Sequence, residues 1–225
     1  QPAQRGEHGQ GVQPWRDALG GLVDRSLLSQ LPEHPATECS ATEPRYRLLE
    51  APLALAREQL PASGEAGWLQ QRHAEAVAAL FDAAHADLLH GRCRADTLAE
   101  RLAPDLENAQ AALQWALAHA PLLAGRIAPT LSTAMGVHRH QDGEALWLAM
   151  APLLAAPSPL PPDLLARCLL RAAEQAQNTR PRQALAWSQQ ALALAGGQGD
   201  TRLACLALRV VGFTAQRLDD RATLA

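Results

Sequence analysis

LLARCLLRAAEQAQN at residues 164–178, PRQALAWSQQALALA at 181–195 and TRLACLALRVVGFTAQRL at 201–218 decide the fold. They read as three helices joined by short connections. Small residues recur inside them: Ala172, then Ala184 twelve residues later, then Ala191 after seven more. In helical-hairpin repeats such positions are small because two helices cross closely there. Gly212 lies 40 residues after Ala172. A period of 40 exceeds the roughly 34 residues common in such repeats, so the connection at 196–200 (Gly-Gly-Gln-Gly-Asp) is expected to be an extended loop.

Composition extends this reading to the whole chain. Of 225 residues, 47 are Ala and 39 are Leu, against 7 Val plus Ile, 2 Phe and 1 Tyr. Helices favour Ala and Leu, whereas strands favour β-branched and aromatic residues, so the expected class is all-α. All 20 basic residues are Arg. The absence of Lys excludes a phosphate-loop lysine, a Schiff-base lysine and lysine-anchored pyridoxal phosphate. A net charge of −3 fits neither a basic nucleic-acid binder nor an acidic tail. Cys39, Cys93, Cys168 and Cys205 form no Cys-x-x-Cys pair and are expected to be buried, reduced thiols of a cytoplasmic protein. The uncharged stretches 108–125 and 145–162 are interrupted by polar residues and prolines and read as buried helices rather than membrane spans.

Towards the N-terminus the pattern changes. Residues 1–14 are rich in Gln and Gly and read as a disordered lead-in. A helix over 15–25, a strand at 26–30, a proline-containing loop at 31–44 and a strand at 46–50 give the outline of a winged-helix hairpin. This partial winged-helix segment is bounded at 15–65 and ends in a helix from Pro52, stopped by Pro61 and Gly64. Connecting helices follow over 66–160. One, at 67–90, has Leu69, His73, Val77, Leu80, Ala84 and Leu88 near one face; another, at 105–119, carries Leu106, Leu113 and Leu117. Repeats occupy 161–225. A start at Gln1 and a stop inside a helical pattern suggest a piece of a longer chain.

Several segments together carry a resemblance: Leu22-Val23-Asp24-Arg25-Ser26-Leu27-Leu28; Arg45-Tyr46-Arg47-Leu48-Leu49-Glu50 with Ala56-Arg57-Glu58-Gln59-Leu60; Ser63-Gly64-Glu65 with Arg72-His73-Ala74; and Leu106-Glu107-Asn108 followed by Leu113-x-Trp115-Ala116-Leu117. In this order the chain resembles the large bacterial STAND-class ATPase regulators. The resemblance implies a P-loop ATPase upstream, a winged-helix remnant here, and tetratricopeptide-like hairpins forming a right-handed α-solenoid. ATP or ADP is then expected only in the upstream domain, with no cofactor in this segment. Family members often end the second wing strand in a Met-His-Asp-like triplet that contacts ADP. Leu48-Leu49-Glu50 stands there instead, and Leu49 cannot donate a hydrogen bond to phosphate.

Candidate sites follow from side-chain chemistry. His138-Arg139-His140-Gln141-Asp142-Gly143-Glu144 contains metal-ligand types but reads as a helix-connecting loop. His73, His85 and His90 are too widely spaced for a ligand set and are expected to be partly exposed. Residues 15–60 hold five Arg against seven acids, which favours an intramolecular role over DNA contact. The first helix of each hairpin is expected to line the groove that binds partners. That selects Arg167, Arg171, Gln175, Arg202, Arg209 and Gln216 for an acidic protein segment or an anionic effector. The expected function is a non-enzymatic regulatory and interaction module coupling such a signal to a nucleotide switch. The alternatives are a DNA-binding winged-helix module and a stand-alone helical scaffold.

Overall fold

The computed structural model describes residues 14–31, 45–138 and 140–218, with side chains for all of these except 14, 15, 137, 138 and 140–144. The described residues are mostly helical with one small antiparallel hairpin. It divides into two units, Gln1–Ala66 and Gly67–Ala225.

In the first unit, helix α1 (Pro14–Asp24) leads into strand β1 (Leu28–Gln30). Ser26 adopts a left-handed φ of 56° between them. Ser26 N–H bonds Val23 C=O at 2.9 Å and Leu27 N–H bonds Leu22 C=O at 2.9 Å, so the last carbonyls of α1 are satisfied by a Schellman-type stop. Strand β2 (Tyr46–Leu48) pairs antiparallel with β1 in the register Leu28↔Leu48, Ser29↔Arg47, Gln30↔Tyr46. Both strands are shorter than the sequence suggests. Helix α2 (Glu50–Ser63) follows and does not stop at Pro61 as expected. Pro61 falls in the final turn, where the one intrahelical bond it removes matters least. The stop is Gly64, at φ 73°, a conformation that a Cβ disfavours.

The second unit opens with α3 (Ala66–Leu89). Its buried face is Ala74, Val77, Ala78, Phe81 and Ala84, at helical spacing. The stripe expected from the leucines is therefore rotated: Val77 and Ala84 stay inside, while Leu69, His73 and Leu80 are exposed. Ala74, Ala78 and Ala84 are buried on this face together with Phe81, which is wholly buried and supplies its one large ring. Asp87 clamps α3 to α4 (Ala95–Leu102) by accepting from Arg101 at 3.0 Å, and also pairs with Arg92 at 3.1 Å. A 3-10 turn at Ala103–Asp105 leads to α5 (Leu106–His119), α6 (Pro121–His138) and α7 (His140–Leu154). In α5 the buried positions are Ala109, Ala112, Leu113 and Ala116; Leu106 and Leu117 are half-buried. The indole N–H of buried Trp147 donates to Ser132 Oγ at 3.1 Å, tying α7 to α6.

Helices α8 (Pro162–Ala176), α9 (Pro181–Gln198) and α10 (Thr201–Arg217) complete the unit. Helix α9 packs against both α8 and α10, the two most extensive pairings among the described residues. Ala172, Ala184 and Ala191 are wholly buried, as close crossings require. Gly212 is not: a Cβ there would meet nothing within 4 Å. The extended loop expected at 196–200 is also absent. Gly196, Gly197 and Gln198 continue α9, Gly199 ends it at φ 72°, and the Asp200 carboxylate caps α10 by accepting from Leu203 N–H at 2.9 Å. Gly125 marks a close approach of α6 to α8: its carbonyl accepts from Cys168 Sγ at 3.3 Å, and a Cβ would lie 3.0 Å from Leu164 Cδ2. Among the described residues no helix is long and apolar enough to cross a membrane.

Candidate functional site

Three elements of the second unit supply one cleft of about 760 Å³. Helix α3 contributes Glu75, Asp82, His85 and Leu89, which share a face because their spacings of seven, three and four approximate whole turns. The first turns of α6 contribute Leu122, Leu123 and Arg126, and those of α8 contribute Asp163, Leu164 and Arg167. Prolines open both helices, as their fixed φ suits.

Charges meet on the cleft wall. Arg126 Nε donates to Asp82 Oδ2 at 2.6 Å, joining α6 to α3. Arg167 Nη2 stands 3.8 Å from the other oxygen, Oδ1, beyond hydrogen-bond distance. Among the described residues, buried Nε and Nη2 of Arg167 and Nε2 of His85 have no hydrogen-bond partner. Burial lowers the pKa of His85 from 6.5 to about 4; Arg167 and Arg171 push the same way, against the pull of Asp82. The imidazole is therefore neutral at physiological pH.

The six residues singled out from sequence fall on two helices, Arg167, Arg171 and Gln175 at four-residue spacing on α8 and Arg202, Arg209 and Gln216 on α10. Arg167 lines the cleft. Arg171 and Arg209 converge on Glu174, whose side chain is only 14% exposed, and this link joins α8 to α10. Gln175, one turn beyond Arg171 on α8, lies beside Trp147, Trp187 and Arg180. Arg202 and Gln216 are exposed on α10. Asp82 and Arg126 escaped sequence reasoning because no motif contains them. Each nonetheless carries a signal. Asp82 is the one acid in the apolar run 76–86, and Arg126 is the one Arg or acid between 108 and 138. A charge isolated in a core helix needs a partner.

Other candidates resolve separately. His73 and His90 are exposed and His85 is half-buried. The backbone of 140–144 opens α7 rather than forming the expected loop, since helix formation there outweighs the Asp-Gly turn preference; the side chains of His138 to Glu144 lie outside the described residues. Among the described residues no group of three His, Cys, Asp or Glu could hold a metal. Cys93 and Cys168 are buried, and burial pushes the Cys168 thiol up to about 12. Cys205, expected inside, is exposed because it lies on the face of α10 turned away from Leu203 and Ala207. Cys39 lies outside the described residues.

No protein-family model matches the chain, and neither a curated protein nor a solved structure does so.

Proposed function

We propose that the chain is the regulatory and interaction module of a STAND-type ATPase transcriptional regulator. The observation that carries this reading is the consecutive array α8–α9–α10, with Ala172, Ala184 and Ala191 wholly buried. In this reading α8 and α9 form one tetratricopeptide-like hairpin, α10 opens the next, and the hairpins stack as a right-handed solenoid. The helix–strand–strand–helix order of the first unit supports a winged-helix remnant, which couples the repeats to an ATPase upstream.

The module works by population shift. Glu174 holds Arg171 on α8 and Arg209 on α10. An acidic protein segment or anionic effector competes with Glu174 for Arg209, which is 61% exposed. Such a ligand biases the switch only if it binds the two helix arrangements unequally. The protein acts in the cytoplasm in this reading, without enzymatic chemistry or direct DNA contact of its own.

Arg171→Ala with Arg209→Ala in the full-length regulator tests the proposal. The expected result is loss of the response to the inducing signal. A wild-type response, with thermal stability unchanged, overturns the binding surface. A full-length chain lacking any P-loop motif upstream overturns the regulator assignment itself.

A further inference from the structure

The cleft between α3, α6 and α8 is not used by the Arg171–Glu174–Arg209 link, and its chemistry is different. Two guanidiniums, Arg126 and Arg167, face a single carboxylate, Asp82. Arg126 is satisfied by Asp82 at 2.6 Å. Arg167 is not: it is too far from Asp82 to bond, and its buried Nε and Nη2 have no partner among the described residues. The two other acids lining the cleft are already accounted for. Glu75 is held by Arg72 at 3.1 Å and Gln71 at 3.0 Å, and Asp163 sits in the first turn of α8, where the helix dipole favours an acid. Around this centre the lining is apolar: Leu89, Leu122, Leu123 and Leu164. Leu122 is 52% exposed at the rim.

We propose that this cleft binds a small amphipathic carboxylate, its head on Arg167 and its apolar body along Leu122, Leu123 and Leu164. A carboxylate presents two acceptor oxygens at the spacing of the guanidinium fork and supplies the bonds Arg167 lacks. To take it, the guanidinium turns its unpartnered nitrogens from the wall into the cleft. Arg126, Arg167 and Asp82 together leave one surplus positive charge, since His85 is neutral; with the Asp163 carboxylate also lining the cleft, a monoanion suits it better than a phosphate monoester. The volume of about 760 Å³ lies in the range of small-molecule sites. This site does not depend on the regulator reading: a stand-alone helical binding protein would use it equally.

Calorimetry on the whole chain at pH 7 tests the proposal with four probes: octanoate, 1-octanol, octyl phosphate and acetate. Octanoate is expected to bind at least about tenfold tighter than octanol, which lacks the charge, and than acetate, which lacks the body. Arg167→Met is expected to weaken octanoate by about tenfold or more while leaving octanol unchanged. Leu122→Asp, on the exposed rim where folding is not at stake, is expected to weaken octanoate to a similar degree, by placing a like charge beside the ligand. Equal binding of octanoate and octanol overturns the proposal, as does tighter binding of octyl phosphate. So does octanoate binding unaffected by Leu122→Asp, or no heat from any probe at millimolar concentration. None of these outcomes bears on the signalling test of Arg171 and Arg209.

Discussion

His85 is the residue whose environment most alters its chemistry. Its pKa in the folded protein is about 4 against the ordinary 6.5, chiefly through burial, with Arg167 adding to the shift, Asp82 opposing it and Arg171 adding again. The unfolded chain therefore takes up a proton before the folded one does as pH falls. The stabilisation is complete above pH 6.5 and drains away as pH drops towards 4, by about 3 kcal/mol in all. Chemical denaturation between pH 7 and 4.5 is expected to show this loss in the wild type and a flatter profile in His85→Gln; parallel profiles would refute it. Asp87, held below its ordinary value mainly by the hydrogen bond from Arg101, acts in the same direction at lower pH, since that stabilisation disappears once the carboxylate is protonated. The cysteines give a second prediction at this scale. Cys205 is exposed, whereas Cys93 and Cys168 are buried and Cys168 is held protonated. Brief alkylation of the native protein is expected to label Cys205 ahead of those two, and peptide mass mapping checks the order.

Helix crossings carry the next level. Ala191 is wholly buried in α9, while Ala193, two residues on, is exposed. Ala191→Leu is expected to overpack the crossing and cost about 1–3 kcal/mol, and Ala193→Leu to change stability by less than about 0.5 kcal/mol. Thermal melts of the two variants decide it, and equal melting temperatures would place Ala191 at the surface. Helix existence over 164–178, 181–195 and 201–218 was legible because Ala and Leu recur there without internal proline. The facing of α3 was not. Leucine spacing pointed to Leu69 and Leu80, but close packing selects alanines and one large ring, so Phe81 went in and Leu80 stayed out. Glycines misled in the same way at 196 and 197, where the last turn of α9 overrides their turn preference.

Across the whole molecule, the division at Ala66 and Gly67 makes a claim about independence. The second unit contains its own core, including Phe81, Leu98, Ile127, Leu131, Trp147, Met150 and Leu169, each at most 2% exposed. A chain of residues 67–225 is therefore expected to fold alone and melt cooperatively, with sharp side-chain signals in near-ultraviolet circular dichroism. Helical far-ultraviolet signal without a cooperative transition would show that the core needs the first unit.

Sequence by itself determined the helical class, because Ala and Leu abundance with few β-branched residues leaves little else. It determined the short hairpin near the N-terminus, since Leu28 and Tyr46 to Leu48 stand in runs bounded by turn and proline signals. It also placed the small residues at 172, 184 and 191, because close helix crossings constrain residue size directly. Only the tertiary structure brought Asp82, Arg126 and Arg167 together, from positions 44 and 41 residues apart on three helices. It likewise placed Arg167 at the cleft, Arg171 and Arg209 on Glu174, and Arg202 on the exposed side of α10. Helical periodicity fixes which residues share a face, but how far each helix turns against its neighbours depends on how side chains of different elements fill the same space, and that is written in no single segment.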